Sequence, residues 1–189
     1  AEQNVANGVM TLSKVGKLPG SDDWTHQGGN VQQTTLSKDD LVKLPMGVLW
    51  FGGSQYNTND KILPRHGHGP SPQVVGGRYY IEGLDTLRCV DVYTGRVLWE
   101  KTISNLGQFS NYTDHQAGQL AVGDNYISTE DKIYVLGEHA DNDWPLECLV
   151  LDAVTGQTLK TYTLPESAGW GMIAVYEDNL IACGYPMLQ

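Results

Sequence analysis

The sequence of 189 residues is poor in basic residues and in long apolar runs. Lys and Arg number 12 against 22 Asp and Glu, which gives a formal net charge of −10. This balance argues against a nucleic-acid backbone or an anionic membrane surface as the main partner. No apolar run approaches the roughly 18 residues that span a bilayer, so we expect no transmembrane segment. No basic segment followed by an apolar one opens the chain, so we expect any signal peptide to be already removed or never present.

Cysteine is also scarce: Cys89, Cys148 and Cys183 lie far apart in the sequence. Without a Cys-x-x-Cys or an adjacent Cys-Cys pair, zinc-ribbon, thioredoxin-like and c-type haem sites are excluded. An odd number of cysteines does not form a disulfide framework. Each cysteine lies in an apolar, strand-like stretch, so we expect all three to be buried as small apolar side chains.

The residues that are abundant are typical of an all-β protein with tight turns. The chain has 22 Gly, five Trp and ten Tyr, and only 18% of its residues are charged. Aromatic residues favour strands, and Gly favours the turns between them. No stretch shows a convincing helical period with capping residues.

An internal repeat organises the sequence. Residues 90–99 return as 151–160, at an offset of 61 residues (Asp91 to Asp152), with the Asp, the Thr, the Gly and the last Leu identical. A second unit occurs three times, at residues 77–81, 131–135 and 178–182. Each full repeat is predicted to form four short antiparallel strands, and such repeats are typical of β-propeller blades.

The repeat also divides the chain. Residues 1–23 are predicted to be a tail or linker, with one possible strand at 8–12, and residues 24–189 a propeller segment. Blades are expected near 64–105, 115–164 and 170–189, which makes two full blades, an entry segment and part of a third. Because a closed propeller needs four to eight blades, we expect this partial β-propeller to belong to a larger ring. Open strand edges favour such association.

The string at residues 91–99 resembles the tryptophan-docking repeat of PQQ-like (pyrroloquinoline quinone-like) β-propellers. Its loose pattern is Leu-Asp-x-x-Thr-Gly-Lys/Arg-x-x-Trp. The hairpin at residues 76–81 and the segment at 23–26 are similar to the inner hairpin and the entry segment of that family. The resemblance covers roughly residues 22–189, and residues 24–73 resemble propellers of planctomycete-type bacteria.

The resemblance implies structural roles for the repeat. Trp99 is expected to be a docking tryptophan whose seat is formed by Asp91, Thr94 and Gly95. Asp152, Thr155 and Gly156 hold the same places in the second copy. Lys160 stands where the second copy should have its tryptophan, so we expect that blade interface to rely on aliphatic packing.

The quinone-dependent members of the family imply further features that this sequence does not match. They are a Cys-Cys disulfide beside the cofactor, a Glu/Asn/Asp calcium site and a catalytic Asp. We therefore predict no catalytic residue and no cofactor, while bound PQQ or a metal ion remains an alternative.

The most concentrated polar motif runs from Arg65 to Pro70. His66 and His68 on an extended chain point to the same face about 7 Å apart, which can bracket a metal or an anion. His115 and Trp170 precede the later inner strands in the same way. We therefore expect Arg65, His66, His68, His115 and Trp170 at one channel mouth, as ligand or partner candidates. The first metal candidates are His66, His68 and His115.

Two other histidines, His26 and His139, lie in polar stretches and are expected to be solvated. The most favoured function is a non-catalytic scaffold or interaction module, with a protein or the remaining blades as its partner. The resemblance implies export, for instance to a bacterial periplasm. The alternative is a quinone- or metal-dependent oxidoreductase whose site is the channel mouth.

Overall fold

The computed structural model describes residues 2–13, 16–50, 72–83, 85–104, 106, 125–139, 145–165 and 169–185, and within them the chain is all-β with no helix. The strands of the described residues are β1 (Glu2–Ala6), β2 (Val9–Ser13), β3 (Gln73–Val75), β4 (Arg78–Gly83), β5 (Thr86–Asp91), β6 (Val97–Thr102), β7 (Tyr126–Ser128), β8 (Lys132–His139), β9 (Pro145–Asp152), β10 (Thr158–Thr163), β11 (Gly169–Tyr176) and β12 (Asn179–Tyr185).

These strands form successive antiparallel sheets. The first four-stranded sheet has the order β3-β4-β5-β6 and is called blade one; the second has the order β7-β8-β9-β10 and is called blade two. Strands β11 and β12 form a two-stranded sheet, called the third hairpin. Each blade therefore follows the chain in a simple meander, and the prediction of a partial β-propeller with four-stranded antiparallel blades is confirmed.

Tight turns join the first two strands of the repeat. Between β3 and β4 the turn residues Gly76 and Gly77 have φ of 60° and 80°, a conformation that glycine adopts without strain. The corresponding turn of the third hairpin uses Glu177 and Asp178, with φ of 46° and 62°. The hairpin expected at residues 76–81 is thus present.

The hydrophobic cores lie between neighbouring sheets. Leu87 and Cys89 of blade one are buried in one cluster with Ile133 and Leu151 of blade two. A second cluster lies between blade two and the third hairpin and contains Ile127, Cys148, Trp170 and Ile173, among others. Blade one, blade two and the third hairpin therefore bury their apolar faces against one another.

The first residues form a hairpin of their own. Strands β1 and β2 pair across an Asn7-Gly8 turn with φ of 49° and 77°, the geometry of a two-residue hairpin. All of β1 is exposed, and so are the apolar residues Val9, Met10 and Leu12 of β2. The strand predicted at residues 8–12 is present, and its partner β1 was not predicted.

The cysteines do not all share one environment. Cys89 and Cys148 are fully buried, as predicted. Cys183 is exposed on β12, so that prediction is wrong for this residue. The apolar, strand-like stretch around Cys183 does form a strand, β12, but its residues 181–184 are exposed.

Candidate functional site

Trp99, on the outermost strand of blade one, lies on a turn of blade two. A β-carbon added at Gly156 would lie 2.7 Å from Cε3 of Trp99 and 2.8 Å from its Cδ2. The indole Nε1 donates a hydrogen bond of 3.2 Å to the carbonyl of Ala153. Since Gly156 also has a φ of 70°, both the backbone and the packed ring require glycine there.

This arrangement corrects the seat expected for Trp99, which was the Gly95 turn of its own blade. Gly95 precedes Trp99 by four residues, and an extended strand advances about 3.3 Å per residue. Strand β6 therefore carries Trp99 away from its own turn and towards the neighbouring blade.

The Gly95 turn is instead the seat of Trp50. A β-carbon at Gly95 would lie 2.7 Å from Cε3 of Trp50 and 2.8 Å from its Cδ2. The Trp50 Nε1 donates a hydrogen bond of 2.7 Å to the Val92 carbonyl. Sequence reasoning missed this second docking tryptophan, although Val48-Leu49-Trp50 copies the Val97-Leu98-Trp99 triplet letter for letter.

A carboxylate holds each of the two turns in shape. Asp91 Oδ1 accepts hydrogen bonds from the backbone N–H of Thr94 at 2.9 Å and from its hydroxyl at 2.9 Å. Asp152 Oδ1 accepts the same pair from Thr155, at 2.7 and 2.8 Å. These bonds lower the pKa of Asp152. The predicted turn residues therefore build two equivalent seats.

A polar network surrounds the Trp99 seat. The Tyr80 hydroxyl donates to the same Ala153 carbonyl at 3.1 Å, and Arg78 Nε donates to the Tyr80 hydroxyl at 2.6 Å. Arg78 also donates through Nη2 to the Glu130 carbonyl at 2.5 Å. The rings of Tyr80 and Trp99 lie 6.0 Å apart between centroids, at 44°. The indole, phenol and guanidinium of three blade-one side chains thus donate hydrogen bonds to the backbone of blade two.

Gln73 joins the innermost strands of the two blades. Its side chain is 1% exposed, Nε2 donates to the Tyr126 carbonyl at 2.6 Å, and Oε1 accepts from the Ser128 N–H at 2.7 Å. One side-chain amide thereby bonds the backbone edge of β7 as a strand's own peptide group would. Sequence reasoning missed Gln73, because a single Gln in a short apolar strand carries no distinguishing pattern.

The entry segment, residues 24–26, crosses the innermost strand of each sheet. Trp24 exchanges two backbone hydrogen bonds with Val74 of β3, at 2.6 and 2.8 Å. The Thr25 carbonyl accepts from the Ser128 N–H of β7 at 3.3 Å. The ladder register places Val74, Ser128 and Val175 at matched positions of the three repeats.

His26 completes this series by bonding the third hairpin. Its Nε2 accepts a hydrogen bond of 3.3 Å from the Val175 N–H, and its Nδ1 lies 2.7 Å from the Thr25 hydroxyl. The residue is 4% exposed, so the prediction that His26 is solvated is wrong. Burial lowers the pKa of His26, which favours the neutral ring whose Nε2 accepts a hydrogen bond from the backbone.

Trp170 lies in the core between blade two and the third hairpin. The residue is 4% exposed, and its Nε1 has no hydrogen-bond partner among the described residues. The buried hydroxyl of Ser128 is likewise unpaired there. Trp170 is thus packed among apolar side chains, and its expected role at a channel mouth stays a prediction.

The other predicted candidates, Arg65, His66, His68 and His115, lie outside the described residues, so their convergence stays a prediction. His139 ends β8. In the described ranges, no group of three or more His, Cys, Asp or Glu side chains is arranged to hold a metal ion. Those ranges also contain no helix long and apolar enough to cross a membrane.

The fold is similar to that of quinohemoprotein alcohol dehydrogenases. No protein-family model matches the sequence, and no curated protein matches it. The structure of quinohemoprotein alcohol dehydrogenase ADHIIG from Pseudomonas putida HK5 is similar with a TM-score of 0.52 and 16% identity, over 88% of this chain and 23% of that one. The enzyme from Comamonas testosteroni matches with a TM-score of 0.47 and 16% identity, over 86% and 23%.

At this identity the likeness shows the fold alone, which is that of a β-propeller. The chain spans about a quarter of the length of these enzymes.

Proposed function

We propose that this chain is a non-catalytic scaffold segment of a larger PQQ-like β-propeller, and that the assembled ring is an interaction module. The observation that carries the proposal is the repeated docking of a tryptophan on a glycine turn, Trp50 on Gly95 and Trp99 on Gly156. Such contacts fix the position of one blade against the next, so they support a structural role.

The buried polar side chains of the described residues support the same role. Gln73, Tyr80 and His26 each bond the backbone of another sheet or segment. A catalytic group must keep an atom available to its substrate. These three side chains are instead occupied in holding strands together.

The remaining blades of the ring are the first partner in this proposal. The described residues contribute two four-stranded blades and the third hairpin to the propeller, and the chain covers 23% of the neighbouring enzyme. A ring of four to eight blades requires more strands than these. The proposal places the ring outside the cytoplasm of a bacterium, with the resemblance of residues 22–189 to PQQ-like β-propellers as its support.

The protein purified from its native source tests the proposal. Light scattering after gel filtration is expected to give a particle well above 20.8 kDa, with no absorbance at about 330–400 nm from a quinone. A particle of 20.8 kDa that unfolds cooperatively would contradict the larger ring. A stoichiometric chromophore or metal ion would contradict the non-catalytic role.

A second candidate is a quinone- or metal-dependent oxidoreductase, which the fold of the quinohemoprotein enzymes favours. The described residues do not provide a metal-ligand cluster, so no step of a reaction is assigned to them. This candidate places its site at the channel mouth, around Arg65, His66, His68 and His115. Alcohol oxidation by the native protein, lost in a His66→Ala/His68→Ala variant with unchanged stability, would favour it over the scaffold.

A further inference from the structure

The entry segment, residues 24–26, is attached to the three sheets by contacts of two kinds. The attachments to β3 and β7 are hydrogen bonds between backbone groups, made by Trp24 and Thr25. The attachment to β11 is a hydrogen bond of 3.3 Å from the Val175 N–H to the side chain of His26. Of these three attachments, the third therefore contains a titratable group and the first two do not.

The hydrogen bond to Val175 requires one form of the His26 ring. Nε2 accepts a hydrogen bond only when it carries no proton, so the proton of the neutral ring is on Nδ1. Nδ1 lies 2.7 Å from the Thr25 hydroxyl, to whose oxygen it donates in this form. When both ring nitrogens are protonated, two donors, Nε2–H and the Val175 N–H, face each other and the hydrogen bond is lost.

The elements around His26 do not stabilise a protonated ring. His26 is 4% exposed, and the strands β7 and β11 consist of uncharged residues. Their titratable groups are the phenols of Tyr126, whose hydroxyl donates to a blade-one carbonyl at 3.0 Å, and of Tyr176, which is 48% exposed. The charged side chains of the adjoining segments are half-buried or exposed: Asp22, Asp23, Glu177 and Asp178. Burial alone lowers the pKa of His26, with no contribution from a charged side chain of the described residues.

We propose that the entry segment is a pH-sensitive strap, in which protonation of His26 detaches the third hairpin and leaves the attachments to blade one and blade two in place. Those two attachments use peptide groups, which do not titrate near neutral pH. The detached β11 keeps its pairing with β12, so the hairpin stays folded and only its inner edge opens. The inference goes beyond the scaffold role and does not rest on the larger ring, because every contact in it lies within this chain.

Hydrogen exchange of single amides, measured by mass spectrometry at pH 7.5 and pH 5 on the protein from its native source, tests the inference. Each rate is divided into the intrinsic rate at the same pH, which gives a protection factor. The protection factor of the Val175 amide is expected to fall about tenfold from pH 7.5 to pH 5. A histidine that has the ordinary pKa of 6.5 once the contact is open allows a fall of at most about 30-fold at pH 5.

The Val74 amide is the internal control, because it donates to the Trp24 carbonyl at the other end of the strap. Its protection factor is expected to stay within about threefold over the same range of pH. This comparison is made in the wild type and needs no variant. An unchanged protection factor at Val175, or an equal fall at Val175 and Val74, would overturn the inference.

A matched pair of histidine variants assigns the effect to its residue. His26→Gln keeps an acceptor for the Val175 N–H that does not titrate near neutral pH, so the fall at Val175 is expected to shrink to less than about threefold. His139→Gln removes a histidine of β8 and is expected to keep the fall of the wild type. A fall in His26→Gln as large as that of the wild type would contradict the role of His26.

Discussion

The two interfaces between sheets bury similar apolar clusters but differ in their polar contacts. Between blade one and blade two, Trp99, Tyr80, Arg78 and Gln73 all donate hydrogen bonds to the backbone of blade two. Between blade two and the third hairpin, the buried indole of Trp170 has no partner among the described residues. The first interface therefore fixes the relative position of its sheets more tightly than the second.

The difference begins with one residue of the repeat. Lys160 holds the place in blade two that Trp99 holds in blade one, and it is exposed on β10. Its Nζ lies 4.3 Å from the ring centroid of Tyr162 on the same strand. A cation–π contact within one strand is worth about 0.5–1 kcal/mol at an exposed site, and it does not connect two sheets. Blade two therefore lacks the side chain that would dock on the next sheet.

The largest expected loss of stability follows from filling the Trp99 seat. Gly156→Ala adds a β-carbon 2.7 Å from the indole and places a side chain at a φ of 70°. Strain and overpacking together are expected to lower the free energy of unfolding in urea by about 3 kcal/mol.

Gly76→Ala is the matched control for that variant. Gly76 also has a positive φ, of 60°, but the nearest atom is Nη2 of the flexible Arg78 side chain, at 3.2 Å. A loss of about 1 kcal/mol is expected there, from backbone strain alone. Equal losses for the two variants would show that the indole does not fill the Gly156 seat.

Removal of the Gln73 side-chain amide is expected to cause the next largest loss of stability. Gln73→Leu removes the hydrogen bonds that the side-chain amide makes to the Tyr126 carbonyl and to the Ser128 N–H inside the first interface. A hydrogen bond contributes about 0.5–1.5 kcal/mol, so the loss of two is expected to lower the free energy of unfolding by about 2 kcal/mol. Gln157→Leu, at an exposed turn of blade two, serves as the control and is expected to stay within about 0.5 kcal/mol of the wild type.

Lowering the pH is expected to have a smaller effect on stability, through the contact of His26 with the third hairpin. Burial lowers the pKa of His26 below its ordinary value of 6.5, so the unfolded chain binds the proton more tightly than the folded chain. The free energy of unfolding is therefore not reduced by His26 above pH 6.5, and it falls as the pH is lowered through that value.

The variant His26→Gln keeps an acceptor for the Val175 N–H without titrating near neutral pH. Its unfolding midpoint is expected to change less between pH 7.5 and 5 than that of the wild type. The same pH dependence in both proteins would rule out His26 as its source.

The smallest perturbation is chemical modification of the cysteines, which compares the exposed strand β12 with the buried cores. Burial raises the pKa of Cys89 and of Cys148 to about 12, and both side chains are fully buried. Cys183 is exposed. Iodoacetamide at pH 8 is therefore expected to label Cys183 alone in the folded chain, as seen by peptide mass spectrometry. Labelling of Cys89 at the rate of Cys183 would contradict the described burial.

The order and type of the strands could be predicted because they depend on local patterns. Period-two alternation and the turn glycines Gly76, Gly95 and Gly156 determine the meander of each blade over a few residues. The docking role of Trp50 could also have been predicted, since Val48-Leu49-Trp50 repeats residues 97–99.

The long-range contacts could not be predicted in this way. His26 is buried because it meets Val175, which is 149 residues later in the chain. Gln73 bonds a strand 53 residues away. Such contacts depend on how the sheets are stacked, and a single sequence carries no local signal of the stacking. For the same reason the exposure of Cys183 on β12 did not follow from its apolar neighbours.

The first interface contains an indole that is docked and hydrogen-bonded, whereas the indole of the second is packed and has no hydrogen-bond partner among the described residues. Urea unfolding of Trp99→Phe and Trp170→Phe compares the two indoles, because both variants lose the same ring volume. Trp99→Phe also loses a hydrogen bond, so it is expected to lower the free energy of unfolding by about 1 kcal/mol more than Trp170→Phe. An equal loss, or a larger one for Trp170→Phe, would show that the Trp99 hydrogen bond does not distinguish the first interface from the second.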